Sequence, residues 1–101
     1  MESNSLVITG TITESGELRS TPGGVPFRSF LLEHRSRQLE ADYPREAFCR
    51  IKVNVRGETL QSAVSNWDVG SRVKVQGFLA RPGVKDETGS RLVLHAQEVL
   101  F

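Results

Sequence analysis

Phe48-Cys49-Arg50-Ile51-Lys52-Val53-Asn54-Val55-Arg56-Gly57-Glu58-Thr59-Leu60-Gln61-Ser62-Ala63-Val64 is the passage on which the fold turns. Cys49, Ile51, Val53 and Val55 make one apolar row, and Phe48, Arg50, Lys52, Asn54 and Arg56 make the opposing row. Successive side chains of a strand point to opposite faces, so this segment is a strand with a core face and an outward face. After Gly57, Leu60, Ala63 and Val64 fall at helical spacing, which predicts a short helix from Glu58 that ends near Ser65 and Asn66. That helix is placed to plug one end of a small barrel.

Toward the N-terminus, Leu6, Ile8 and Ile12 alternate with Val7, Thr9, Thr11 and Thr13, and Gly10 between them predicts a bend that lets the strand curl. Ser20-Thr21-Pro22-Gly23-Gly24 is a turn, because proline presets one φ and glycine accepts positive φ. Pro26 to Arg35 reads as a second strand whose inward side the pattern leaves open, since both faces are mixed. Ser36 to Glu46, polar and charged around Tyr43-Pro44, predicts an exposed loop. Toward the C-terminus, Asp68-Val69-Gly70-Ser71 is a turn before a strand from Arg72 to Ala80, bent at Gly77. A hairpin loop follows from Arg81 to Ser90, then a last strand from Arg91 to Leu100 with Leu92, Leu94 and Ala96 alternating with Val93, His95, Gln97 and Val99.

The expected fold class is therefore all-β: a five-stranded barrel of the OB (oligonucleotide/oligosaccharide-binding) type with one short helix between strands three and four. An SH3-like barrel is the alternative, and the helix position and the two glycine-bent strands favour the OB arrangement. At 101 residues one core suffices, so residues 1–101 are expected to form a single OB-fold domain.

The composition, 38% hydrophobic and 25% charged, is that of an ordinary globular protein. No run approaches the length of a membrane span, and Met1-Glu2-Ser3-Asn4-Ser5 lacks the blocks of a signal peptide, so a cytoplasmic location is expected. Cys49 has no disulfide partner and sits in the apolar row, where a thiol packs as a small hydrophobe. The net charge is only +1, yet residues 19–57 hold eight bases against four acids and the rest of the chain five against eight. Such segregation predicts a basic face.

Chemistry for catalysis is missing from the pattern. His34 and His95 have no partner at metal-ligand spacing, Gly23-Gly24 is not followed by a phosphate-loop lysine, and no Gly-x-Ser-x-Gly elbow occurs. The expectation is a protein that is no enzyme and takes no cofactor or metal. What remains is the outward row of Phe48, Arg50 and Lys52, an aromatic alternating with bases, as needed to stack a nucleobase while neutralising its phosphates. Packing of Phe48 under the preceding loop, with Arg50 and Lys52 merely solvated, fits the same pattern equally well.

Several segments resemble the PriB family (primosomal replication protein N) of bacterial replication-restart factors. They are Leu6-Val7-Ile8-Thr9-Gly10-Thr11, Phe30-Leu31-Leu32-Glu33-His34-Arg35-Ser36, Val69-Gly70-Ser71-Arg72-Val73-Lys74-Val75-Gln76-Gly77-Phe78 and Leu92-Val93-Leu94-His95-Ala96, spread over nearly the whole chain. The resemblance implies a homodimer of OB folds related to the general single-stranded DNA-binding protein but without its acidic tail. It implies a role in replication restart as a bridge between the PriA helicase and single-stranded DNA, which then helps bring in the helicase-loading primosome proteins. The family's DNA contacts would fall on Arg19, Arg35, Tyr43 and Phe48.

Phe48 stands where enterobacterial relatives carry tryptophan, and phenylalanine offers a smaller stacking surface. The loop from Arg81 to Arg91, lysine-rich in those relatives, here sets Asp86 and Glu87 beside Lys85, leaving Lys85 and Arg91 as its DNA-binding candidates. Fewer phosphate contacts imply weaker binding with a shallower salt slope than in a lysine-rich relative. A protein-interaction adaptor for PriA with secondary DNA binding is the alternative function, whereas the near-neutral charge speaks against a ribosomal or other RNA-binding OB protein. The Leu6 to Thr13 strand is the candidate dimer edge.

Overall fold

The computed structural model of the chain describes residues 1–81 and 91–101. Six strands and one helix follow in the order β1 (Leu6–Ser15), β2 (Arg19–Ser20), β3 (Pro26–Glu40), β4 (Tyr43–Arg56), α1 (Glu58–Ala63), β5 (Arg72–Ala80) and β6 (Val93–Val99). The expected five strands are thus corrected to six; the extra one is the two-residue β2, too short to carry an alternation. The sheet runs β1-β5-β6-β4-β3-β2, and β1 also pairs with β3, so five strands follow one another around to the first. The helix lies where it was expected, after the long strand that ends at Arg56.

The core takes Ile12, Phe30, Leu32, Val53, Val55, Val64, Trp67, Val73, Val75 and Leu94. Each such side chain contributes about 1.5–3 kcal/mol by leaving water. The buried sides of β3 and β4 meet through the pairing of Phe30 with Val53, which settles that Phe30 and Leu32 mark the inward face of β3. Trp67, from the turn after α1, meets the Phe30 ring edge-on at 5.1 Å and 71°, a geometry the aromatic quadrupole favours. Leu60, the apolar anchor of α1, packs against this cluster from outside.

Within the strands, close backbone approach dictates glycine at positions 10 and 77. At Gly77, where the register of β5 against β6 shifts, a Cβ would lie 2.0 Å from the His95 carbonyl oxygen. At Gly10 it would lie 2.4 Å from the carbonyl oxygen of Glu33. Both are the glycines whose strand positions predicted bends.

The segment Ser36 to Glu46 is not a loop. It is the outer half of the β3–β4 hairpin, paired without a break from Arg35 opposite Phe48 to Glu40 opposite Tyr43. The chain reverses through Ala41 and Asp42, at φ 50° and 68°, the pair of left-handed residues that a two-residue hairpin turn requires. This outer half projects past the core as a two-stranded arm. The same departure explains Cys49, which is exposed rather than core filler: it shares its face with Val53 and Val55, but the ribbon has already left the core at that level. At the start of β6, Val93 and Leu94 are both buried, and Leu92 just before it is exposed.

The Leu6 to Thr13 strand has less free edge than expected. β5 pairs with it from Leu6 to Thr11 and β3 from Thr11 to Ser15. His34 also ties in, its Nδ1–H donating to the Thr9 carbonyl at 2.6 Å while its Nε2 accepts from the Ser36 hydroxyl at 2.7 Å.

Candidate nucleic-acid interface

Residues opposite each other in an antiparallel pair point to the same side of the sheet. In β3 and β4 the pairs are Phe27 with Arg56, Ser29 with Asn54, Leu31 with Lys52, Glu33 with Arg50 and Arg35 with Phe48. Phe48, Arg50 and Lys52 therefore share one outward face, as their alternation predicted, and Arg35 joins them from β3. β2 sets Arg19 opposite Phe27 and so adds Arg19 to the far end of that face. Arg91 is exposed and lies two residues before Val93, whose partner in β4 is Lys52. Lys85 lies outside the described residues, as does most of its loop. Tyr43 is exposed but pairs with Glu40, an odd number of positions from Phe48, and the alternation puts it on the opposite face of the arm.

Phe48 is 47% exposed, so it is not packed beneath a loop. Its ring meets the Arg35 guanidinium at 4.3 Å and that of Arg50 at 5.9 Å. Both arginines are already engaged with carboxylates that the sequence reading did not include. Arg50 Nε donates to Glu33 Oε2 at 3.1 Å, and Arg35 Nη1 donates to Glu46 Oε1 at 3.1 Å with Glu33 4.0 Å from its Nε. Exposed pairs of this kind contribute about 0–1 kcal/mol, little enough for a phosphate to take the carboxylate's place. Glu33 opposite Arg50 is a cross-strand relation, visible only once the register is known.

The far end of the face differs. Arg56 lies over the Phe27 ring at 5.7 Å. Next along the sheet, Asn54 is level with His95, and His95 stacks on Phe78 with centroids 5.0 Å apart and planes 15° from parallel. Burial, and secondarily the positive charge of Arg56, hold the His95 imidazole below its ordinary pKa, so it is neutral at pH 7. Among the described residues no carboxylate lies within ion-pair distance of Arg19, Lys52 or Arg56. No group of three potential metal ligands occurs among the described residues, and no helix there is long and apolar enough to cross a membrane.

A face of this make-up, with basic side chains beside an exposed ring, is chemically suited to an unstacked polyanion. The comparisons with known proteins point the same way. A family model described as another single-strand binding protein family matches residues 4–98. The replication restart protein PriB of Escherichia coli is 40% identical over 95% of this chain and 91% of its own length. That of Yersinia pseudotuberculosis is 36% identical over 100% of this chain and 95% of its own. Among solved structures, PriB from Ralstonia solanacearum superposes with a TM-score of 0.83 at 27% identity, covering 98% of this chain and 97% of that one. The SSB domain of a Synechococcus protein, at 20% identity, shares the fold with a TM-score of 0.71 over 100% and 98%. By its fold, its outward face and these relationships, the chain belongs to the single-strand binding protein family, among the PriB replication restart proteins.

Proposed function

We propose that this chain is a non-catalytic single-stranded DNA-binding accessory protein of the replication-restart primosome, bridging the PriA helicase and DNA before the helicase-loading proteins arrive. The observation that carries this reading is the register of β3 and β4, which collects Arg35, Phe48, Arg50 and Lys52 on one outward face with Phe48 half-exposed. A base stacks on the Phe48 ring, and adjacent phosphates displace Glu33 and Glu46 from the arginines. Lys85 and Arg91 extend the phosphate contacts, and Tyr43 reaches DNA that wraps around the arm.

Titration of a fluorescent oligothymidylate by anisotropy tests this at several salt concentrations. Micromolar or tighter binding that weakens in Phe48→Ala and in Arg50→Ala is expected; no binding by the unaltered protein at low salt would sink it. The salt slope is expected to be shallow because two of the arginines arrive already paired.

The reading includes a homodimer, built on the part of β1 before Thr11, which has a strand neighbour on one side only. Light scattering after size exclusion checks it, and a monomeric mass would refute it. A second reading, a helicase adaptor in which DNA binding is secondary, is favoured by the Glu33 and Glu46 pairs that mask positive charge beside Phe48. Phe48→Ala and Lys52→Ala, assayed separately against DNA and PriA, distinguish the two: lost helicase affinity with unchanged DNA affinity favours the adaptor.

A further inference from the structure

The outward face of β3 and β4 has two aromatic ends, and they mirror each other. At one end β4 supplies the ring, Phe48, and β3 the arginine over it, Arg35. Eight residues away in each strand the roles are exchanged: β3 supplies Phe27 and β4 supplies Arg56. We infer that Phe27, flanked by Arg19 and Arg56, is a second nucleobase-stacking position for single-stranded DNA, an inference that rests on the DNA-binding function proposed above.

Phe27 has no other evident task. Among the described residues it belongs neither to the buried core nor to the partly buried hydrophobics packed against it. Its cross-strand neighbours on both sides are arginines, Arg19 from β2 and Arg56 from β4. With Lys52 and Ser29 it lines an open cleft of about 310 Å³, whose one acid is Glu17. Arg19, Lys52 and Arg56 have no carboxylate partner among the described residues, whereas Arg35 and Arg50 at the Phe48 end do. Phosphate binding at the Phe27 end therefore breaks no ion pair. The stacked rings of Phe78 and His95, level with Asn54 and uncharged at pH 7, continue the surface beyond Arg56.

Spacing agrees with one strand of DNA serving both ends. Eight residues at about 3.3 Å each put the two rings at most about 26 Å apart along the sheet. A stacked strand advances about 3.4 Å per nucleotide and a splayed one more, so the two positions are about eight nucleotides apart or fewer, within the ~4–16 that one OB fold occupies.

Anisotropy titrations with oligothymidylates from about four to about sixteen nucleotides long test this on the full chain. The unaltered protein should gain affinity sharply once the oligonucleotide spans both rings. Phe27→Leu, which keeps an apolar side chain at a half-buried strand position, should lose that gain, about 5- to 100-fold on the longer oligonucleotides, and leave the shortest ones nearly unchanged. Arg56→Gln, at an exposed position whose guanidinium lies over the Phe27 ring and has no carboxylate partner among the described residues, should lower the salt slope by about one. If the unaltered protein binds and Phe48→Leu weakens it, while Phe27→Leu matches the unaltered protein at every length and Arg56→Gln keeps its salt slope, the second position is refuted and the DNA-binding function stands. If the unaltered protein binds no oligonucleotide at low salt, both fall together.

Discussion

Replacing Glu33 by glutamine should make this protein bind single-stranded DNA more tightly. Glu33 lies on the outward face opposite Arg50, accepts from it at 3.1 Å and stands 4.0 Å from Arg35 Nε. A phosphate that takes its place on Arg50 leaves the displaced Glu33 carboxylate about 6 Å away, roughly twice the length of a charge-assisted bond of about 2.7–2.9 Å. Two like charges at that distance repel by ~0.7 kcal/mol at the dielectric of water and ~3 kcal/mol at an effective dielectric of 20. The Glu33 side chain is 26% exposed, so the lower part of that range applies. About 1 kcal/mol, roughly fivefold in Kd, is the expected gain at low salt. The lost ion pairs cost stability about 0–1 kcal/mol at most. Anisotropy titration of Glu33→Gln beside the unaltered protein, with thermal melting as the check on folding, measures both quantities. The advantage should shrink toward nothing near 1 M salt, where the screening length falls to about 3 Å. Equal or weaker affinity at low salt in a folded variant would refute the reasoning, because it would mean that Glu33 serves to hold the arginines in place.

Three further outcomes are expected. Gly77→Ala sets a methyl group 2.0 Å from a backbone oxygen that cannot give way, so its melting temperature should drop by more than about 5 °C, corresponding to roughly 1–3 kcal/mol of overpacking; an unchanged melt would contradict the close approach. The folded-state pKa of His95 lies below its ordinary 6.5, so between the two values the unfolded chain binds more protons. Stability is then complete above about pH 6.5 and lost as pH falls through the folded pKa; melting against pH should show this loss, and His95→Gln should reduce it. Tyr43→Ala should weaken DNA binding measurably but less than Phe48→Ala, since Tyr43 occupies the other face of the arm and meets only DNA that wraps around it; an unchanged affinity would refute the wrapping.

The parts of the molecule with a buried side were legible in advance, and the parts without one were not. Ile51, Val53 and Val55 announced the third long strand because a core lies under them. The same alternation is absent from Arg37-Gln38-Leu39-Glu40, since both faces of the arm meet water and nothing selects apolar residues for either. Its turn was hidden too, because Ala41 and Asp42 hold positive φ without the glycine that usually signals it. Phe48, Arg50 and Lys52 were readable as a row along one strand. Phe27, Glu33 and Arg56 acquire meaning only through cross-strand register, which a single chain's periodicity does not encode. Arg35 and Arg19 came from the family resemblance, and the pairing then put both beside the row.

The arm beyond Arg35 and Phe48 also separates two selective pressures. Its outer residues are almost all in contact with water, and its strands are joined by backbone pairing that tolerates most side chains. Substitutions at such positions usually move stability by no more than about 0.5 kcal/mol. Recognition can therefore drift there from lineage to lineage while the core of Phe30, Val53 and Trp67 stays unchanged, and an engineer can vary the tip as a library without first stabilising the scaffold.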